Sequence, residues 1–162
     1  MTKTHQYLLT VRWTGNTGNG TGSYRGYDRS HLVEIDHKLA ILGSSDPAFL
    51  GDPKKHNPEE LFVASISACH MLWFLHLCAE AAVVVTAYVD HATGTMLETT
   101  EGGGYFSEVN LYPIVTVSDQ SMIDKANSIH HRANALCFIA NSVKFPVHHH
   151  PTALVAMSKA GI

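Results

Sequence analysis

From Leu61 to Ala79 the sequence carries no Asp, Glu, Lys or Arg, an uncharged run of about 19 residues. A surface helix needs a polar face, and this stretch offers none, so it reads as a helix buried in a core. Its start is marked by Asn57-Pro58-Glu59-Glu60. Asn57 suits the N-cap, Pro58 the first helical position, and Glu60 the acidic place of a capping box. The run is also long enough to cross a bilayer. His70, His76, Ser65 and Ser67 interrupt it, however, and the rest of the chain is patterned as a soluble domain. A central core helix is the better reading, and Cys69 sits in its middle.

The remaining pattern predicts strands over Gln6 to Trp13, Ser23 to Arg29 and His31 to Ile41. Between the first two, the glycine-rich segment Gly15 to Gly22 reads as a hairpin turn. No Gly-Lys-Ser/Thr follows it and no helix opens after it, so a phosphate loop is the poorer fit. Two Asp-Pro pairs punctuate a long loop between Gly43 and His56, and such loops are often functional. After the central helix, Val83 to Met96 and Tyr105 to Val117 read as strands, with Pro113 pushing the latter toward an edge or bulge. A second helix follows, with Ser121 and Asp124 in capping-box positions and an apolar stripe through Met122, Ala126, Ile129, Ala133, Leu136 and Ala140. Cys137 lies at the edge of that stripe near its end. Val143 to Val155 closes the chain as a strand broken by Pro146 and Pro151. The sum is an α+β domain in which antiparallel strands cover buried helices. A chain of 162 residues, 45% hydrophobic and 15% charged, suits one domain over 1–162.

Charge narrows the partners. A formal net charge of -3 and no basic cluster longer than Lys54-Lys55 leave no electrostatic footprint for nucleic acid. The N-terminus enters strand-like residues without an apolar signal segment, so a cytoplasmic protein with no membrane partner is expected. Cysteines 69, 78 and 137 form no C-x-x-C pair, and in a reducing compartment they read as free thiols.

On a helical wheel Cys69 shares a face with Phe62, Ser65, Leu72, Trp73 and His76, while Cys78 points the other way and reads as core packing. Apolar neighbours would desolvate a Cys69 thiolate, so a reactive Cys69 needs a cation, for which Arg25 and Arg29 are the candidates. An arginine fork can hold a thiolate and a carboxylate together, which gives Glu59 a part. From these residues alone, inert packing of Cys69 stays the plainer reading. Twelve histidines invite a metal hypothesis through Cys69 with His76, or His130, His131 and Cys137. Their spacings match no zinc signature, and His148-His149-His150 in an extended segment cannot converge, so no metal or cofactor is expected. A hydrolase lacks its Gly-x-Ser-x-Gly elbow.

The stretch Asn57-Pro58-Glu59-Glu60-Leu61 through Ala68-Cys69-His70 resembles the Asn-Pro-Glu-x-Leu to Ala-Cys segment of the OsmC/Ohr family of organic hydroperoxide reductases. A second cysteine after a helix, here Ala135-Leu136-Cys137, is that family's other marker, although Phe138 stands where the family usually has proline. The resemblance implies antiparallel sheets around a long buried central helix and a second helix, assembled as an intertwined homodimer. It also implies a thiol-dependent peroxidase for organic hydroperoxides, with Cys69 peroxidatic, Cys137 resolving and a dithiol reductant, such as a lipoyl-type one, resetting the pair. Glu59 would hold an arginine against the thiolate, with Arg29 favoured over Arg25. Phe138 in place of proline predicts a more helical chain around Cys137. A non-catalytic binding or stress protein of the same fold, or a thiol and histidine metal-binding protein, is the rival reading.

Overall fold

The computed structural model describes residues 2–156, so residue 1 and residues 157–162 of the expected 1–162 unit lie outside it. The chain gathers into two compact units, Met1–Phe62 and Val63–Ile162.

In the first unit β1 (Thr10–Trp13), β2 (His31–Glu34) and β3 (Ile41–Gly43) form an antiparallel sheet in that order. The glycine-rich segment turns as expected: the Asn16 side chain accepts from the backbone N–H of both Gly18 and Gly20, and both glycines take positive φ. The strand predicted over Ser23 to Arg29 does not form. That segment is a series of turns in which the Arg29 guanidinium donates to the carbonyls of Tyr27 at 2.5 Å and Tyr24 at 2.6 Å and lies over both tyrosine rings. Side-chain capture of backbone carbonyls there competes with a strand ladder. The expected single strand from His31 to Ile41 is likewise two, parted by a turn at left-handed His37. The Asp-Pro loop is built from side-chain caps: Asp46 accepts from Ala48 N–H at 2.7 Å and Asp52 from Lys54 N–H at 3.0 Å. The predicted capping box is present in both directions, with Glu60 N–H donating to Asn57 Oδ1 at 2.7 Å and Asn57 N–H to Glu60 Oε2 at 3.2 Å.

The helix this box opens, α1 (Pro58–Glu80), runs most of its length in the second unit. It is not buried all round as its composition predicts. Ile66, His70, Phe74 and Cys78, spaced by four, form one buried stripe, while Ala64 and Ala68 are exposed and Leu72 is 62% exposed. A helix laid on one layer buries one face, so within a single chain the other apolar face stays open. Length and composition alone would also suit α1 to a membrane span, a property that core helices share.

Two small sheets complete the second unit. β4 (Val85–Asp90), β7 (Pro113–Val117) and β9 (Thr152–Val155) form one, in the order β4-β7-β9; β5 (Thr93–Glu98), β6 (Gly104–Leu111) and β8 (Val147–His149) form the other, in the order β5-β6-β8. Both sheets are mixed rather than purely antiparallel, because β8 pairs with β6 and β9 with β7 in parallel. These pairs close only after the chain has crossed over through α2 (Ile123–Leu136), as a parallel ladder requires. Pro113 opens the central strand β7 and marks no edge. The α2 start is signalled by Asp119 and not by Ser121 with Asp124: Asp119 accepts from Ser121 N–H at 2.8 Å and begins a 3-10 turn that leads into the helix. Phe74 and Cys78 of α1, Val115 and Val117 of β7, and Ala126 and Ala133 of α2 pack as the core of this unit.

Candidate functional site

Cys69 and Cys137 meet in the second unit. α1 carries Cys69 on the face beside its buried stripe, where the thiol is half-buried. α2 ends at Leu136, and Cys137 follows as its C-cap with extended backbone at φ -66 and ψ 111. The chain at Cys137 is therefore not helical, contrary to what Phe138 in the proline position suggests. Cys137 is fully buried, its thiol is hydrogen-bonded with that of Cys69, and its Sγ also accepts from Ala140 N–H at 3.4 Å. Both thiols are free, with no disulfide between them.

Burial pushes the Cys137 thiol up to about 11, the hydrogen bond with Cys69 adds to the rise, and the Ala140 N–H opposes it. Cys137 is thus a protonated, sheltered thiol beside a more accessible one. Cys78 is buried on the core stripe, where desolvation raises it to about 11, in keeping with packing.

Cys69 lines an open apolar cavity of about 550 Å³, together with Leu72, Trp73, His76, Phe138 and Ile139. Trp73 stands edge-on to Phe138, ring centroids 5.6 Å apart, and edge-on to His76 at 5.7 Å. The Cys69 helix face deduced from spacing is thereby the cavity wall for Ser65, Leu72, Trp73 and His76. Phe138, in the cavity wall, is 69% exposed, and Ile139 was not foreseen because the helix expected to run through Ala140 ends at Leu136. His76 pairs with Glu80 at 3.4 Å.

Arg29 and Glu59 belong to the first unit, and no ion pair joins them among the described residues. Arg29 is engaged by the Tyr24 and Tyr27 carbonyls and rings. Glu59 Oε2 is buried with no hydrogen-bond partner. A buried carboxylate oxygen in that condition is costly unless a donor reaches it. Among the described residues no three His, Cys, Asp or Glu side chains converge on a point that could hold a metal ion.

His70 and His130, which sequence spacing could not pair, are both buried at 1% exposure and hydrogen-bond to one another at 2.9 Å between Nε2 and Nδ1. Burial lowers His70 to about 4 and His130 to about 3, with neighbouring imidazoles adding to both shifts.

The family profile described as OsmC-like protein matches residues 51–151. No curated protein matches the sequence. Among solved structures, the chain is similar to an OsmC-like protein of unknown function from Vibrio cholerae O1 biovar eltor, with 32% identity and a TM-score of 0.82 over 92% of this chain and 100% of that one. It shares its fold with an organic hydroperoxide resistance protein from Elizabethkingia anophelis, at 19% identity and TM-score 0.65 over 95% and 100% of the two chains. The same holds for an organic hydroperoxide resistance protein OsmC from Legionella pneumophila, at 19% identity and TM-score 0.65 over 93% and 98%.

Proposed function

Since the chain belongs to the OsmC-like protein family, we propose that it is a cytoplasmic thiol peroxidase that reduces organic hydroperoxides to alcohols. The observation that carries the reading is the contact of two free thiols, one sheltered and one lining an apolar cavity. Cys69 as thiolate attacks the terminal peroxide oxygen. The O–O bond breaks, the alkoxide leaves and takes up a proton as ROH, and Cys69 is left as sulfenic acid. The Cys137 sulfur then displaces the sulfenic hydroxyl, releasing water and forming the Cys69–Cys137 disulfide. A dithiol reductant of lipoyl type returns both thiols by exchange. The apolar walls, Trp73 and Phe138 above all, select bulky organic hydroperoxides over hydrogen peroxide, which gains nothing from apolar contact.

Glu59 and an arginine, Arg29 in preference to Arg25, complete the proposed site by stabilising the thiolate and the leaving oxygen. The unpartnered buried oxygen of Glu59 supports a cation arriving from beyond the contacts seen within one chain. A homodimer is the proposed assembly. Tyr7, Leu8 and Leu39 at 85% exposure or more, and the open apolar face of α1, support it, because surfaces of this kind call for cover. The test is to add one equivalent of cumene hydroperoxide to the reduced protein and map the product by mass spectrometry. A Cys69–Cys137 disulfide is expected, and unchanged thiols would turn the weight to the non-catalytic binding protein.

A further inference from the structure

Away from the cavity, the second unit holds a row of imidazoles that the proposed chemistry does not use, two of them buried, His149 half-buried and His131 exposed. His70 of α1 and His130 of α2 are hydrogen-bonded at 2.9 Å with rings 9° from parallel. His130 stacks on Phe74 at a centroid distance of 4.0 Å. His149 of β8 lies 5.7 Å from the His70 ring, and His131 of α2 lies 5.8 Å from the His149 ring. His70 directly follows Cys69, and His130 sits about two helical turns before Cys137. This buried bond between the thiol-bearing helices therefore lies one residue from one thiol and about two helical turns from the other.

The geometry points to a positioning role: the neutral His70–His130 pair holds α1 against α2 in the register that brings Cys69 onto Cys137, and protonation of the pair releases it. A disulfide tolerates a Cα separation of only a few ångströms, so the helices that carry its sulfurs must be set closely. The bond needs one ring to donate and the other to accept. One added proton, on a free ring nitrogen, keeps the bond but puts an uncompensated charge in the core, and a second makes both rings donors that face each other and breaks it. Among the described residues no carboxylate shifts either ring, and Asp90 of β4 is engaged by Ser67 Oγ. The groups acting on the pair are His149 on both rings, with His131, His148 and His150 acting on His149 in turn. Across Phe74 from His130 lies Tyr88 of β4, its hydroxyl buried and unpartnered. His70 Nδ1 is also buried without a partner, so a proton added there has no acceptor.

The sign follows from the burial. Both imidazoles are held below their ordinary 6.5 in the closed state, so the closed state keeps its full advantage above pH 6.5 and loses it as pH falls toward about 4. For each imidazole that charges on opening, the opening constant rises about tenfold per pH unit in that window.

The inference rests on the peroxidase reading only for what the joined thiols accomplish, and its test uses diamide, which oxidises two thiols to a disulfide while being reduced to its hydrazine, without peroxide chemistry. His130→Leu removes one partner of the bond. His70→Gln with His130→Asn replaces the pair by amides that can keep the hydrogen bond and cannot take up a proton near pH 6. Diamide closure of Cys69–Cys137 at pH 7.5 should slow at least about tenfold in His130→Leu and recover in the double variant. Native-state hydrogen exchange of α2 from pH 7.5 to 4.5 should show the rising opening constant in the natural protein and a flat one in the double variant, with β7 amides still protected. Closure at the natural rate in His130→Leu would overturn the role, as would an equal acid slope in the double variant, or parallel loss of protection in β7. If diamide closes the pair as described while cumene hydroperoxide is not consumed, the peroxidase reading fails and the positioning role stands.

Discussion

Alkylation at pH 7.5 should separate the three thiols by environment. Iodoacetamide attacks the thiolate, so the rate at each cysteine follows its ionised fraction and its access to solvent. Cys137 is raised from 9.0 to about 11, by burial first and by its hydrogen bond with Cys69 second. That shift cuts its thiolate fraction at pH 7.5 about 100-fold below that of an ordinary thiol. Cys78 is raised likewise by burial, and both side chains are closed to solvent. Cys69 lines the open cavity. A short pulse of iodoacetamide, read by peptide mapping, should therefore label Cys69 and leave Cys137 and Cys78 at least about 100-fold slower than a model thiol. Raising the pH should speed both about tenfold per unit until about pH 11. Cys69→Ala should speed Cys137 further, because the Cys69 hydrogen bond and charge that raise it are gone. Labelling of Cys137 at the model-thiol rate at pH 7.5 would refute the sheltered-thiol assignment.

Other consequences concern the scaffold. Phe74 is fully buried between His130 and Tyr88, so Phe74→Ala should cost about 3–5 kcal/mol in urea unfolding. A loss under 1 kcal/mol would show that the core collapses around the gap. Asn57→Ala removes the N-cap acceptor of Glu60 N–H and should cost about 1 kcal/mol by the same assay. Cys78→Ala should leave peroxide turnover intact, and a large loss would place Cys78 in the chemistry after all.

What the sequence made legible was mostly local. Asn57, Pro58 and Glu60 announce the α1 start because a capping box is closed within four residues. The shared face of Cys69, Leu72, Trp73 and His76 follows from helical periodicity alone. An uncharged run has no polar side, however, so nothing in it told which face the chain would cover and which it would leave open. The strand expected at Ser23 to Arg29 lost to Arg29, whose guanidinium binds two nearby carbonyls. The parallel pairings of β8 and β9 depend on the crossover through α2, beyond the reach of any local pattern. The His70–His130 bond joins residues 60 apart, a separation that no helical spacing can pair.

Steady-state consumption of cumene hydroperoxide and of hydrogen peroxide, with a lipoyl-type dithiol as reductant, bears most directly on the proposed activity when the natural protein is set beside Cys69→Ser. The account predicts turnover of the organic peroxide well above that of hydrogen peroxide, and its complete loss in Cys69→Ser. Turnover that survives without the Cys69 sulfur, or none with either peroxide in the natural protein, would contradict it.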